Sequence, residues 1–196
     1  MTNTIIFATH NKHKIDEVSK ILSPLNISIV GGDDCNLPEV EETGETFEEN
    51  ALIKALAGVK FLGKPVLAED AGLSIDGLDG APGVYSARFA SSHGGYPNTF
   101  KYINEQLGST KSRKAHYTSV MVLAFSENEY YVFKGYMNGK IALEPSGTNG
   151  FGYDPLFIPD GFDTTLGHID ETTKNSISHR SKSIKQVYDF LKNKKL

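Results

Sequence analysis

An α/β domain built on a mixed β-sheet is what the patterning of this chain predicts, and three observations carry that expectation. The chain opens with a short apolar run, a tight loop and an amphipathic stripe, the start of an α/β unit. Two strand-like runs lie back to back in its middle, joined by a short polar turn, and so add an antiparallel pair to the sheet. No internal repeat and no long Pro/Gly/Ser linker interrupts the pattern, so residues 1–196 read as a single domain with room for two lobes.

Thr4 to Ala8 reads as a first strand buried on both faces, and Thr9-His10-Asn11 as a turn. A helix begins near Lys12, with Ile15, Val18 and Leu22 on one apolar stripe. Ile27 to Val30 is the next strand, and the polar, acidic run from Gly31 to Gly44 is a loop. Thr46 and Glu49 form a Thr-x-x-Glu capping box. The helix they announce carries Ala51, Leu52, Ala55, Leu56 and Val59 on its apolar face, with Asn50 and Lys54 one turn apart on another. Gly63-Lys64-Pro65 ends it. Val66-Leu67-Ala68 is a short buried strand with Glu69 and Asp70 at its end, and the stretch holding Gly72, Gly77, Gly80, Pro82 and Gly83 reads as irregular backbone. Pro97 to Leu107 forms a helix. Tyr117 to Phe125 and Tyr130 to Tyr136 are the two arms of a hairpin, and Ile141-Ala142 is a short further strand. Gly147 to Asp154 is a glycine-rich loop. A last helix from Ser183 turns Ile184, Val187, Tyr188 and Leu191 inward, and Lys192, Lys194 and Lys195 suit the dipole at its carboxyl end.

Composition narrows the function. Hydrophobic content of 39% and charged content of 22% are those of a globular protein. A formal charge of −4 argues against bulk nucleic acid as a partner, while a few lysines, helix amides and a metal ion still suit a small polyanion. No apolar run approaches about 18 residues, so no membrane span is expected. Ile5 to Ala8 is too short for a signal peptide and has no basic region before it. Cys35 is the only cysteine, which excludes an intramolecular disulfide and a Cys-x-x-Cys zinc site and fits a reducing, cytoplasmic setting.

Polar chemistry collects in four places. Thr9, Asn11 and Lys14 follow the first strand, where helix-start amides and an ammonium suit phosphate oxygens; the alternative is helix capping with a solvated lysine. Glu42, Glu69 and Asp70 offer hard oxygens to magnesium and a base for water, against the alternative of an acidic surface. Because Glu69 and Asp70 are adjacent on a strand, they face opposite ways, and one of them is the better metal ligand. Phe151-Gly152-Tyr153-Asp154-Pro155 reads as a base platform with a hydrogen-bond acceptor, or else as a packed aromatic turn. Lys174 and Ser178-His179-Arg180 supply donors for phosphate or for purine oxygens, or else a polar helix start. The other histidines show no compact metal-ligand spacing, and Tyr102, Tyr117, Tyr131 and Phe133 read as core or interface residues.

With these segments in view, the sequence resembles the non-canonical purine nucleoside triphosphate pyrophosphatases, the ITP/XTP pyrophosphatase family. The matching segments are AT-x-N-x-x-K from Ala8 to Lys14, EETGETFEENA-x-x-KA from Glu41 to Ala55, GAPGVYSAR from Gly80 to Arg88, FGYDPLF from Phe151 to Phe157 and K-x-x-ISHR from Lys174 to Arg180. The resemblance implies a twisted mixed sheet with flanking helices, two lobes around a central cleft, and a homodimer. It implies that Thr9, Asn11, Lys14 and Lys54 hold the triphosphate, and that Glu42 and Asp70 bind Mg2+, with Asp70 also activating water. Phe151, Gly152, Tyr153, Asp154, Lys174, His179 and Arg180 would shape the purine pocket and nearby phosphate contacts. His10 stands where many relatives have glycine and Glu69 where many have aspartate; both are expected beside the site, in support of it. The implied reaction is hydrolysis of ITP, dITP and XTP to a monophosphate and pyrophosphate. The alternatives are a related enzyme acting on dTTP or UTP, and a nucleotide-binding protein without catalysis.

Overall fold

The computed structural model describes residues 3–194; Lys195, expected at the last helix end, lies outside them. Six strands form one mixed sheet in the order β2-β1-β3-β4-β5-β6. The strands are β1 (Asn3–Phe7), β2 (Ile27–Gly31), β3 (Val66–Ile75), β4 (Lys114–Ser126), β5 (Glu129–Ile141) and β6 (Phe157–Pro159). β1 runs parallel to β2 and to β3, and β5 runs antiparallel to β6. The helices are α1 (Lys12–Leu22), α2 (Phe47–Leu62), α3 (Ser86–Ser92), α4 (Tyr96–Leu107), α5 (Glu171–Ile177) and α6 (His179–Lys194). The chain divides into two compact units. The first holds the chain through Asp70, Ser119–Gly135 and the chain from Arg180; the second holds Ala71–Thr118 and Tyr136–His179.

Strand alternation builds the first unit. Side chains along a strand point to opposite faces in turn. Ile5, Phe7, Leu67, Met121 and Leu123 therefore share one face, where Val18 and Leu22 of α1 and Ile184, Val187 and Leu191 of α6 cover them. Ile6, Val66, Ala68, Val120, Val122 and Ala124 share the other, packed against Ala51, Ala55 and Val59 of α2. The capping box of α2 forms as expected: Thr46 accepts from the Glu49 amide while the Glu49 carboxylate accepts from the Thr46 amide. Gly63 closes that helix in the left-handed conformation at φ 61°, which a residue with a Cβ adopts only with strain. The second unit has its own core, with Leu73, Ile75, Phe100, Ile103, Leu107, Tyr117, Leu156 and Phe157 at its centre.

Several element bounds differ from expectation. β3 does not stop at Ala68 but continues to Ile75, so Glu69 and Asp70 stand in mid-strand. β3 lies between β1, which pairs with Val66 and Leu67, and β4, and it runs on through Gly72 despite that residue's low strand preference. Pairing with β6 carries β5 through Ile141, so the first residue of the separate short strand expected there belongs to β5. Ser86–Ser92, to which the sequence pattern assigns no element, is helical. α6 begins at His179, not Ser183, because its first turn is polar, with His179 and Arg180 buried, and gives no apolar period to read.

Candidate active site

Opposite faces of β3 separate the two adjacent carboxylates in the first unit. Glu69 shares the face of Leu67 and meets α1 and α6; Asp70 shares the face of Ala68 and meets α2. The contacts follow that parity. Asp70 Oδ2 accepts from Asn50 Nδ2 at 3.2 Å, and Asp70 Oδ1 lies 3.8 Å from Lys54 Nζ. Lys54 Nζ donates to Glu42 Oε1 at 2.6 Å. Asn50 is fully buried, and its Oδ1 accepts from the Gly44 amide at 2.8 Å, tying the Glu42 loop to the strand that carries Asp70. Burial pushes the Asp70 carboxyl above its ordinary range; the Lys54 ammonium opposes that shift, and Glu42 adds to it.

On the other face, Glu69 accepts from Arg180 Nε at 2.9 and 3.0 Å and from Ser119 Oγ at 2.7 Å, and Lys14 Nζ stands 3.1 Å from its Oε2. Burial pushes the Lys14 ammonium down, and Glu69 opposes that shift. Asn11 is the N-cap of α1, its Oδ1 accepting from the His13 and Lys14 amides. The capping reading of Asn11 therefore holds, while Lys14 is no solvated lysine. Thr9 Oγ1 accepts from the Asn11 amide at 3.2 Å, and His10 Nδ1 stands 2.5 Å from Asp33 Oδ1. A cavity of about 250 Å³ opens among these groups. Thr9, His10, Lys14, Glu42, Lys54 and Glu69 all line it, so residues up to 60 positions apart, from Thr9 to Glu69, converge on one wall.

The second unit assembles a different set. Asp154 is buried and accepts from Lys174 Nζ at 2.5 Å and from the Phe151 amide at 2.8 Å. The same ammonium lies 4.7 Å from the centre of the Phe151 ring. Gly150, at φ 75°, leaves the space this pair needs: a Cβ there would stand 2.0 Å from Asp154 Oδ2. Gly152 also turns through positive φ, at 65°. Tyr153 is a strut, its hydroxyl donating to the Ser86 carbonyl at 2.8 Å and its ring packed edge-on against Tyr96. Burial, with Tyr96 adding, drives its phenol well above the usual range. His179 is buried and stacks on Tyr117, with ring centres 4.6 Å apart and planes 7° from parallel.

Each unit thus gathers its own share of the expected residues. Helical spacing marks Asn50 only as a partner of Lys54, and its buried hydrogen-bonding task shows only in the folded structure. Glu17, Ser119 and Tyr96 take roles that depend on long-range contacts, which local pattern does not carry. Among the described residues no three His, Cys, Asp or Glu side chains come together as a metal cage. Nor is any described helix long and apolar enough to cross a membrane.

The sequence model of the Ham1 family matches residues 5–190. The dITP/XTP pyrophosphatase of Agrobacterium fabrum is 41% identical over 204 residues, an overlap of 96% of this chain and 95% of that one. A HAM1 protein from Coxiella burnetii superimposes with a TM-score of 0.91 at 36% identity, covering 97% of this chain and 99% of its own. The Staphylococcus aureus Ham1 protein gives 0.88 at 36% identity over 98% and 100%. With a family match over nearly all its length and close relatives in both sequence and structure, the chain belongs to the Ham1 family.

Proposed function

We propose that this protein is a magnesium-dependent hydrolase that cuts ITP, dITP and XTP at the α-phosphorus, releasing a nucleoside monophosphate and pyrophosphate and so clearing such nucleotides from the pool. The observation that carries the reading is the first unit's cavity, where the ammonium groups of Lys14 and Lys54 stand beside Glu42 and Glu69, with Asp70 on the same lysine. The Agrobacterium fabrum relative, named a dITP/XTP pyrophosphatase, supports the substrate class.

The donor set fits magnesium. Glu42 and Asp70 already converge on one cation, the Lys54 ammonium, and offer hard carboxylate oxygens. Magnesium is bound through one or two protein carboxylates with substrate phosphates and waters completing its shell, so a pair without a third protein ligand suffices. When bound, it supplies positive charge to the phosphate oxygens and makes the phosphorus more electrophilic.

This chain's residues do the rest. Asp70 orients a water toward the α-phosphorus and accepts its proton; burial, by raising its basicity, suits it to that task. As the bond to the β-phosphate oxygen breaks, Lys14 and Lys54 offset the charge on the departing pyrophosphate. Thr9 and Asn11, in the turn that leads into α1, are assigned phosphate oxygens alongside Lys14. No enzyme-bound covalent intermediate is required.

The second unit is assigned the base. Phe151 offers a stacking face, and Lys174, fixed by Asp154, offers a donor to a purine O6; His179 completes the polar surroundings. A donor at that position accepts the hypoxanthine and xanthine oxygens and leaves the adenine amino group without an acceptor. We place the enzyme in the cytoplasm as a homodimer, in keeping with the family resemblance and the single cysteine.

A purified-enzyme panel of ITP, dITP, XTP, GTP, ATP, dTTP and UTP, with and without magnesium, tests the proposal. Pyrophosphate release from the first three is expected. Sequential orthophosphate release, preference for dTTP or UTP, or nucleotide binding without turnover would each overturn it.

A further inference from the structure

Glu69 has no task in the reaction set out above, yet its carboxylate is held on every side that the structure describes. Its side chain is wholly buried. Oε1 accepts from Ser119 Oγ and from Arg180 Nε, and Oε2 accepts from Arg180 Nε and faces Lys14 Nζ. Ser119 is itself 2.8 Å from Ser183 Oγ, and Arg180 Nη1 donates to Glu17 Oε2 at 2.7 Å. The carboxylate on β3 is thus clamped by groups from α1, β4 and α6.

Charge arithmetic explains the arrangement. Two cations, Lys14 and Arg180, face two carboxylates, Glu17 and Glu69. Burial works against the Arg180 charge, but Glu69 and Glu17 more than offset it and hold the guanidinium firmly cationic. With Glu17 neutralising Arg180 from one side, charge on Glu69 is left for Lys14. That pull is shared among three donors, so the ammonium is located without being sequestered. Both residues line the cavity, but 19% of the Lys14 side chain is exposed, against none of Glu69. A lysine stem has many rotamers to lose on binding, and a fixed carboxylate at its tip removes that loss in advance.

We propose that Glu69 is a positioning residue: clamped by Arg180 and Ser119, it presents the Lys14 ammonium, already placed, to the polyphosphate of the substrate. The role of Arg180 is then to fix Glu69, acting three contacts away from the phosphate. This rests on the reading of Lys14 as a triphosphate ligand.

A double-mutant cycle on kcat/KM for ITP at saturating magnesium tests it. Glu69→Gln keeps the shape and removes the charge, and is expected to lower kcat/KM about tenfold. In a Lys14→Ala background the same change is expected to cost less than about twofold, because the group it positions is gone. Glu69→Asp, which restores the charge, is expected to recover most of the loss. If Glu69→Gln does not fold, Ser119→Ala serves instead: it removes the hydrogen bonds to Glu69 and Ser183 but no charge, and its expected loss of about threefold should vanish in the Lys14→Ala background. Losses that multiply in the double variant overturn the positioning role while leaving Lys14 as a phosphate ligand. Parental kcat/KM in Lys14→Ala alone removes that ligand reading, and the proposal with it.

Discussion

Asp70 and Glu69 are adjacent acids of similar burial with different surroundings, and the difference lies in which helix each one meets. Asp70 faces α2, where Asn50 fixes one oxygen and Lys54 attends the other. Glu69 faces α1 and α6, where Arg180 saturates it. A carboxylate locked by a guanidinium is a poor proton acceptor, whereas one whose basicity is raised by burial is a good one. Asp70→Asn is accordingly expected to lower ITP turnover by roughly 10²-fold or more, with the fold retained. Near-parental turnover at saturating magnesium would falsify the general-base role. In the second unit, Gly150→Ala is expected to lower kcat/KM for ITP roughly tenfold, because its Cβ displaces Asp154 and releases Lys174. Unchanged kinetics in a folded variant would remove the Asp154–Lys174 pair from base recognition.

At the scale of elements, α2 links stability to the site. Its capping box orders the first turn, and the next turn carries Asn50 and Lys54. The Glu45 and Thr46 amides hold the Glu49 carboxyl below its ordinary range. A carboxyl depressed in the folded state stabilises the protein above its unfolded pKa, and that contribution is lost as the pH falls through the folded value. Glu49→Gln should therefore lower the melting temperature at neutral pH, and the gap from the parent should close in acid. A gap that stays constant with pH would show that the charge of Glu49 is not what supports the cap. Thr46 and Glu49 were legible because a capping box is local, three residues wide. The length of β3 was not, since Gly72 has a low strand preference and its place in the strand depends on sheet neighbours distant in sequence.

For the molecule as a whole, the proposed chemistry ties activity to a divalent cation. Chelation is expected to abolish pyrophosphate release from ITP, and added magnesium to restore it. Turnover that survives chelation would remove the metal from the mechanism. The amino-acid order determined a good deal without help: the helices with apolar stripes, the central hairpin, the cap of α2, and the motif segments around Lys14, Glu42, Asp154 and Lys174 that place the chain in its family. Those features are local, set by spacing within one or two turns or one strand. What only the tertiary structure decided is which charges meet. Arg180 reaches Glu69 across 111 residues of chain, Ser119 reaches it across 50, and Asn50 reaches Asp70 across 20. Periodicity says that neighbouring acids on a strand part company, but packing of helices on the two faces of the sheet chooses the partner for each, because burying a charge is tolerable only where an opposite charge or donor has been brought to it.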